Sequence, residues 1–273
     1  MPRRCFSCFG RGGSSSSCTH GPSAGPNATA DENAEEHKRC GPVVVELFSS
    51  QGCATSPQAE LLLSRLGRGD FELEAPVVVL AYHVEYWDYL GWKDPFGASL
   101  WTVRQKAYVE ALKLDTLYTP QVVVQGNNQC MGTDEDAILS AIKSADRFLA
   151  PSFQVTFERP STNILHVSLT GPIRTKIDCK GADVLAVLYE SGLVTDCSAG
   201  ENKDKLLAND AVVRRLQKIC TVRDSSSKKT TAGTINFSLW EGFNASKCGM
   251  VVILQNNALH ILGAQHFLLP ELI

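Results

Sequence analysis

Residues Ser50–Pro57 read SQGCATSP. They follow an apolar run, VVVELFS (Val43–Ser49), and lead into a leucine-rich one, QAELLLSRL (Gln58–Leu66). The first run suits a buried parallel strand. The second carries Ala59, Leu62, Leu63 and Leu66 at helical spacing, with Gly67 as the expected stop. Pro57 fits a first helical turn, where its missing N–H costs little. A cysteine, Cys53, therefore sits where a strand gives way to a helix. Three residues later stands Ser56 rather than a second cysteine.

Working outward, APVVVLAYHV (residues 75–84) reads as a second buried strand. ASLWTVRQKAYVEAL reads as a helix with Trp101, Arg104, Tyr108 and Leu112 on one face. PQVVVQG reads as a third strand, NNQCMG as a turn and short fourth strand, and TDEDAILSAIKSADRFL as a final helix. Thr133 is its expected cap, with Asp136 in the third helical position. The order β-α-β-α-β-β-α predicts an α/β domain over residues 41–150 with functional groups at the strand C-termini. From Pro151 the texture changes to short, partly alternating runs: SFQVTFE, NILHVSL, DVLAVLYE, GTINFSLW and MVVILQN. Polar stretches such as CSAGENKDK and RDSSSKK separate them. Residues 151–273 are expected to form a separate, β-rich, sandwich-like domain. NDAVVRRLQKI fits either a strand or a short helix. Residues 1–40, rich in Ser, Gly and Pro, read as a disordered tail.

A chain of 273 residues fits one large or two medium domains. Its formal net charge of -3 gives no basic footprint for nucleic acid. No apolar run approaches the roughly 18 residues of a spanning helix, so no integral membrane segment is expected. Ten cysteines without regular spacing, and no apolar leader after Met-Pro-Arg-Arg, point to a reducing compartment with free thiols. The expected location is cytoplasmic, with organellar targeting left open by the short basic, Ser-rich start. Cys5, Cys8, Cys18 and His20 offer half the spacing of a zinc site but no second close pair, so no metal is expected.

The candidate chemistry centres on Cys53. Unpaired N–H groups at a helix start stabilise a thiolate and lower its pKa, with the helix terminus as the largest expected cause. Ser56 can donate to the same sulfur. The plain alternative is a buried cysteine acting as a small hydrophobe. Thr119-Pro120 opens the third strand, where a cis proline facing the first helix start would lie beside Cys53; a trans proline at a strand start is the ordinary alternative. The stretch AYHVEYWDYLGWKDPF concentrates His83, Tyr86, Trp87 and Trp92 just after a strand. It is expected either to form a recognition wall, with His83 as base or donor to Cys53, or to seal the sheet edge.

The strand, SQGC, helix, YHVEYWDYLGWKDPF, RQKAY and YTPQVVVQG, in that order, resemble the thioredoxin-like family DUF1223. The resemblance runs from Val43 to the C-terminus, with YESGLV, GENKDKLLANDAVVRRL and ILGAQ matching the family's β-rich part. It implies a thioredoxin-like domain at 41–150. It also implies that Cys53 stands for the first cysteine of a C-x-x-C pair and Ser56 for the second. Tyr118-Thr119-Pro120 then resembles a cis-proline loop.

With Ser56 in the second position, a C-x-x-S site has no local thiol to release a mixed disulfide. One reading is monothiol thiol–disulfide exchange at Cys53 on a protein or small-molecule partner. Glutathione or a second cysteine would resolve it, Cys130 first and Cys40 second. No other cofactor is implied. The other reading is a catalytically inactive thioredoxin-like module that binds a protein or peptide.

Overall fold

The computed structural model describes residues 40–178, 180–223, 230–271 and 273. The expectations for residues 1–39, including Cys5, Cys8, Cys18 and His20, lie outside the described residues. The remainder is a small α/β part followed by an extensive mixed β-sheet system.

The N-terminal order matches the expected one: β1 (Val43–Ser49), α1 (Ser56–Arg68), β2 (Val77–His83), α2 (Ser99–Ala111), β3 (Gln121–Val124), β4 (Asn128–Met131) and α3 (Glu135–Lys143). Strand β1 runs parallel to β2 and antiparallel to β3. Successive side chains of β1 point to opposite faces. Val43, Val45 and Leu47 pack among Ala59, Leu63 and Ile138 of α1 and α3. Val44 and Phe48 pack among Trp101 and Tyr108 of α2. Two helix boundaries differ from expectation. Helix α1 passes Gly67 and stops at Gly69, whose left-handed backbone (φ 82°) returns its N–H to Leu66. Helix α3 is capped by Asp134, not Thr133, because the Asp134 carboxylate accepts from the N–H of Ala137.

Beyond Pro151 come β5 (Gln154–Ser161), β6 (Ile164–Pro172), β7 (Ala182–Glu190), β8 (Leu193–Cys197), β9 (Lys205–Asn209), β10 (Val212–Val222), β11 (Thr230–Ser238), β12 (Cys248–Asn256) and β13 (Ile261–Leu268). NDAVVRRLQKI is thus a strand, β10. The expected boundary at Pro151 does not divide the sheet. One eight-stranded sheet runs β13-β12-β7-β10-β2-β1-β3-β4. Its two halves join where β10 lies parallel to β2, with Val212 opposite Ala81. The expected four-stranded sheet is therefore one half of a larger sheet rather than the sheet of a separate unit.

The sandwich-like expectation holds in part. A three-stranded sheet, β11-β6-β5, packs over the β7–β12 region, burying Leu165, Val167 and Phe237 against Val184, Leu188 and Met250. Strands β8 and β9 form their own two-stranded hairpin. That hairpin reaches the loop that carries Cys53.

Candidate functional site

The loop between β1 and α1 is built from backbone hydrogen bonds that few solvent molecules reach. Cys53 N–H donates to the Ser50 carbonyl at 3.1 Å, and Gly52 N–H to Ser50 Oγ at 3.1 Å. Gly52 has no spare room, since a Cβ there would stand 3.0 Å from the Cβ of Trp87. The result is a cysteine only 5% exposed.

The Thr119–Pro120 peptide bond is cis. It brings the Thr119 carbonyl 3.7 Å from Cys53 Sγ, where the thiol can donate to it. Thr55 Oγ1 lies 3.5 Å from the same sulfur. Burial pushes the Cys53 thiol up. The hydroxyls of Ser56, Thr119 and Thr55 and the Thr55 backbone N–H pull it down, and the net result is below the ordinary value. Side-chain hydroxyls, with Ser56 foremost, therefore do most of what the helix terminus was expected to do.

His83 is not the expected base. Its ring is fully buried between two carboxylates. Nδ1 lies 2.7 Å from Asp94 Oδ2, and Nε2 lies 3.2 Å from Glu60 Oε1. Burial disfavours the imidazolium, but Asp94 and then Glu60 favour it more, raising its pKa to about 10. Its charge in turn holds the buried Asp94 below the usual carboxylate range. Both ring nitrogens face carboxylates, so neither is turned to Cys53. What His83 does is structural: Asp94 Oδ2, anchored by His83, also accepts the Gln51 N–H at 2.7 Å. The pair thereby braces the loop two residues before the thiol.

The aromatic segment divides into two roles. Trp92 Nε1 donates to Gln51 Oε1 at 3.1 Å, so Trp92 supports the loop. Trp87 Nε1 donates to Thr119 Oγ1 at 2.7 Å, tying the segment to the cis-proline turn. Tyr86 donates to Gln105 Oε1 at 3.2 Å, and Gln105 in turn donates to the Tyr118 carbonyl at 2.7 Å. Trp87 and Tyr86 are half-buried, while Tyr89, stacked on Trp87 with ring centroids 6.5 Å apart, stands 77% exposed.

Cys130 lies on β4 opposite Val122 and packs with the apolar cluster under α1 and α3. Burial, with a smaller effect from Asp134, pushes its thiol up to about 11.

Sequence reading missed the hairpin's part in the site. Asn202, fully buried between β8 and β9, donates from Nδ2 to the carbonyls of Gln51 (2.8 Å) and Cys53 (2.9 Å). Gln51 Nε2 donates to Asn209 Oδ1 at 2.8 Å and Thr195 Oγ1 at 3.0 Å. The residues around Asn202 are charged and exposed, so its stretch carries only the signal of a polar linker.

The family model described as protein of unknown function (DUF1223) matches residues 44–255. The chain belongs to the DUF1223 family. The match spans both the α/β part and the hairpin that clamps the loop, in line with the continuous sheet. This DUF1223 chain is similar in structure to protein AGR_C_4864 from Agrobacterium tumefaciens, at 26% identity and a TM-score of 0.59, covering 85% of this chain and 96% of that one. It also resembles HBP35 of Porphyromonas gingivalis, at 13% identity and a TM-score of 0.55, covering 84% and 76%. No curated protein matches it.

The cytoplasmic expectation is withdrawn, since neither the fold nor the comparisons support it. The similar structures include a domain of the outer membrane lipoprotein Omp28 from P. gingivalis, at 13% identity and a TM-score of 0.26, covering 44% of this chain and 87% of that domain. Free cysteines had suggested a reducing cytosol, but unpaired thiols alone do not assign a compartment. Among the described residues no helix is long and apolar enough to cross a membrane.

Proposed function

We propose that this chain is a thioredoxin-like module that binds an extended protein or peptide segment. The binding edge is the Thr119–Pro120 turn, the rim of the Cys53 loop and the aromatic wall of Tyr86, Trp87 and Tyr89. One contrast carries this reading. Cys53 is 5% exposed and has Ser56 where a second thiol would stand, whereas Tyr89, stacked on the Trp87 that packs against the loop at Gly52, is 77% exposed. An exposed aromatic on a rigid, hydrogen-bonded base is the usual anchor of a recognition surface. Residues 41–150 supply the edge, and residues 151–273 supply the hairpin that holds it still.

The test is tryptophan fluorescence during titration with a permanently unfolded, carboxymethylated protein. Saturable binding is expected, and Tyr89→Ala should weaken it about tenfold, the loss expected of a truncated aromatic anchor. No saturable signal, or an unchanged affinity in the variant, sinks the reading.

A second reading, monothiol exchange, is favoured by the hydroxyls that lower the Cys53 pKa despite burial. The thiolate would attack one sulfur of a disulfide and release the other as a thiolate. Glutathione would then break the mixed disulfide and leave with the captured sulfur. Iodoacetamide reaction rates from pH 5 to 9 are expected to show a Cys53 apparent pKa below that of an unfolded thiol, with the signal lost in Cys53→Ser. A Cys53 no faster than an unfolded thiol across that range removes this reading and leaves the binding one.

A further inference from the structure

Beneath the Cys53 loop lies a small chamber that neither reading uses. It measures about 10 Å³ and is walled by Ser49, Ser56 and Glu60, with Leu207 and Asn209 of the hairpin closing it. That is room for one water.

The polar atoms around it are short of partners. Ser49 Oγ and Glu60 Oε1 are fully buried, and neither makes a directed hydrogen bond among the described residues. His83 Nε2 is close to Glu60 Oε1 at 3.2 Å, yet it too lacks a directed bond, so the contact is an ion pair by distance alone. Buried polar groups left without a directed partner are costly, and two of them, Ser49 Oγ and Glu60 Oε1, on the wall of one chamber call for a common ligand.

The sequence explains why they converge. Ser56 and Glu60 are four residues apart on α1 and share a helix face. Ser49 and His83 are register partners on adjacent parallel strands and point to the same side of the sheet. The helix face and Ser49 meet at the chamber, with His83 reaching it only through Glu60. Ser56 Oγ already accepts the Ser50 N–H at 3.3 Å, three residues from Cys53, and its hydroxyl favours the Cys53 thiolate.

We propose that one buried water occupies this chamber and joins Ser49, Glu60 and Ser56 into a hydrogen-bonded chain that ends on Cys53. The water accepts from the Ser49 hydroxyl and donates to Glu60 Oε1 and Ser56 Oγ. Ser56, with its oxygen so engaged, is left to donate its own proton to the Cys53 thiolate. Glu60 is then a positioning residue for the thiol, acting through the water and Ser56. The His83 ring, 3.2 Å from Oε1, keeps Glu60 in place. No proton changes owner and no covalent bond is made; the chain orients one hydroxyl. The effect on Cys53 rests on the monothiol reading, whereas the water itself does not.

The experiment pairs a high-resolution crystal structure with a titration of the Cys53 thiolate by its ultraviolet absorbance, on the wild type, Ser49→Val and Ser49→Ala. Valine fills the chamber, while alanine keeps its volume and removes one donor. An ordered water within hydrogen-bond distance of Ser49 Oγ and Glu60 Oε1 is expected in the wild type and is expected to be missing from Ser49→Val. The thiolate fraction of Cys53 at neutral pH should fall about threefold in Ser49→Val, a shift of about half a pKa unit. A smaller fall in the same direction is expected in Ser49→Ala, which stands in if the valine variant does not fold. A dry chamber in the wild type overturns the proposal. So does a Cys53 titration that is identical in all three proteins. An inert wild-type Cys53 ends the monothiol reading, and the chamber is then decided by the crystallographic water alone.

Discussion

His83→Ala is expected to destabilise the fold by about 3–5 kcal/mol, the cost of leaving a buried carboxylate without its counter-charge. The reason is the count of charges. Glu60 and Asp94 are both buried, and His83 is the cation between them. Asp94 would keep its bonds from Gln51 and Phe96, so the loop would loosen rather than dissolve. Urea unfolding of wild type and variant measures the difference. A loss under about 1 kcal/mol, within the range of an exposed pair, would show that the ring is not the charged centre of this cluster.

The same pair makes stability depend on pH. His83 has its pKa raised from 6.5 to about 10 in the folded state. Between those values the folded protein binds the proton more tightly than the unfolded chain does. Stability from this group is therefore fully present below about pH 6.5 and is lost as pH rises towards 10. The wild type should lose stability over that window, and His83→Gln should lose less. Equal slopes for the two proteins would remove the linkage.

The α/β order was legible because periodicity states it locally. VVVELFS is apolar apart from Glu46 and the terminal Ser49, since both faces of β1 are covered. SPQAELLLSRL has one apolar stripe, since one face of α1 is. The place of Cys53 followed from residue order, whereas the residues alone left the Thr119–Pro120 isomer open and the cis form came from the family resemblance. The errors share one cause, which is contact between residues far apart in the chain. Nothing near Ala81 announces that Val212 lies beside it. The polar run CSAGENKDK reads as a linker because six of its nine residues are polar in type, and only the fold shows that Asn202, alone among those six, turns inward. His83 next to a cysteine motif suggested a base. Its two carboxylate partners come one from α1 and one from the loop after β2, and neither spacing stands out in sequence.

Arg104 is the other position where a large effect is expected. In sequence it lies on the same helical face as Trp101 and Tyr108, an unusual place for a cation. In the fold its guanidinium reaches across the core to Glu46 on β1, which is 0% exposed. Nε donates to Glu46 Oε1 at 2.8 Å, and the Tyr108 hydroxyl donates to Glu46 Oε2. Gln255 of β12 donates to the Tyr108 oxygen at 2.9 Å and accepts from Arg104 at 3.3 Å. The cluster thus ties α2, β1 and β12 together across the two halves of the sheet. Arg104→Met removes the cation and strands a buried carboxylate, for an expected loss of about 3–5 kcal/mol. Replacing both partners, as Glu46→Leu with Arg104→Met, removes the stranded charge as well. Most of the loss should then be recovered, because a buried ion pair and a well-packed apolar pair are often near equal in stability. Denaturant midpoints of the single and double variants form a thermodynamic cycle. If the double variant is as unstable as the sum of the two singles, Glu46 and Arg104 act independently, and the cluster is not the coupled charge pair described above.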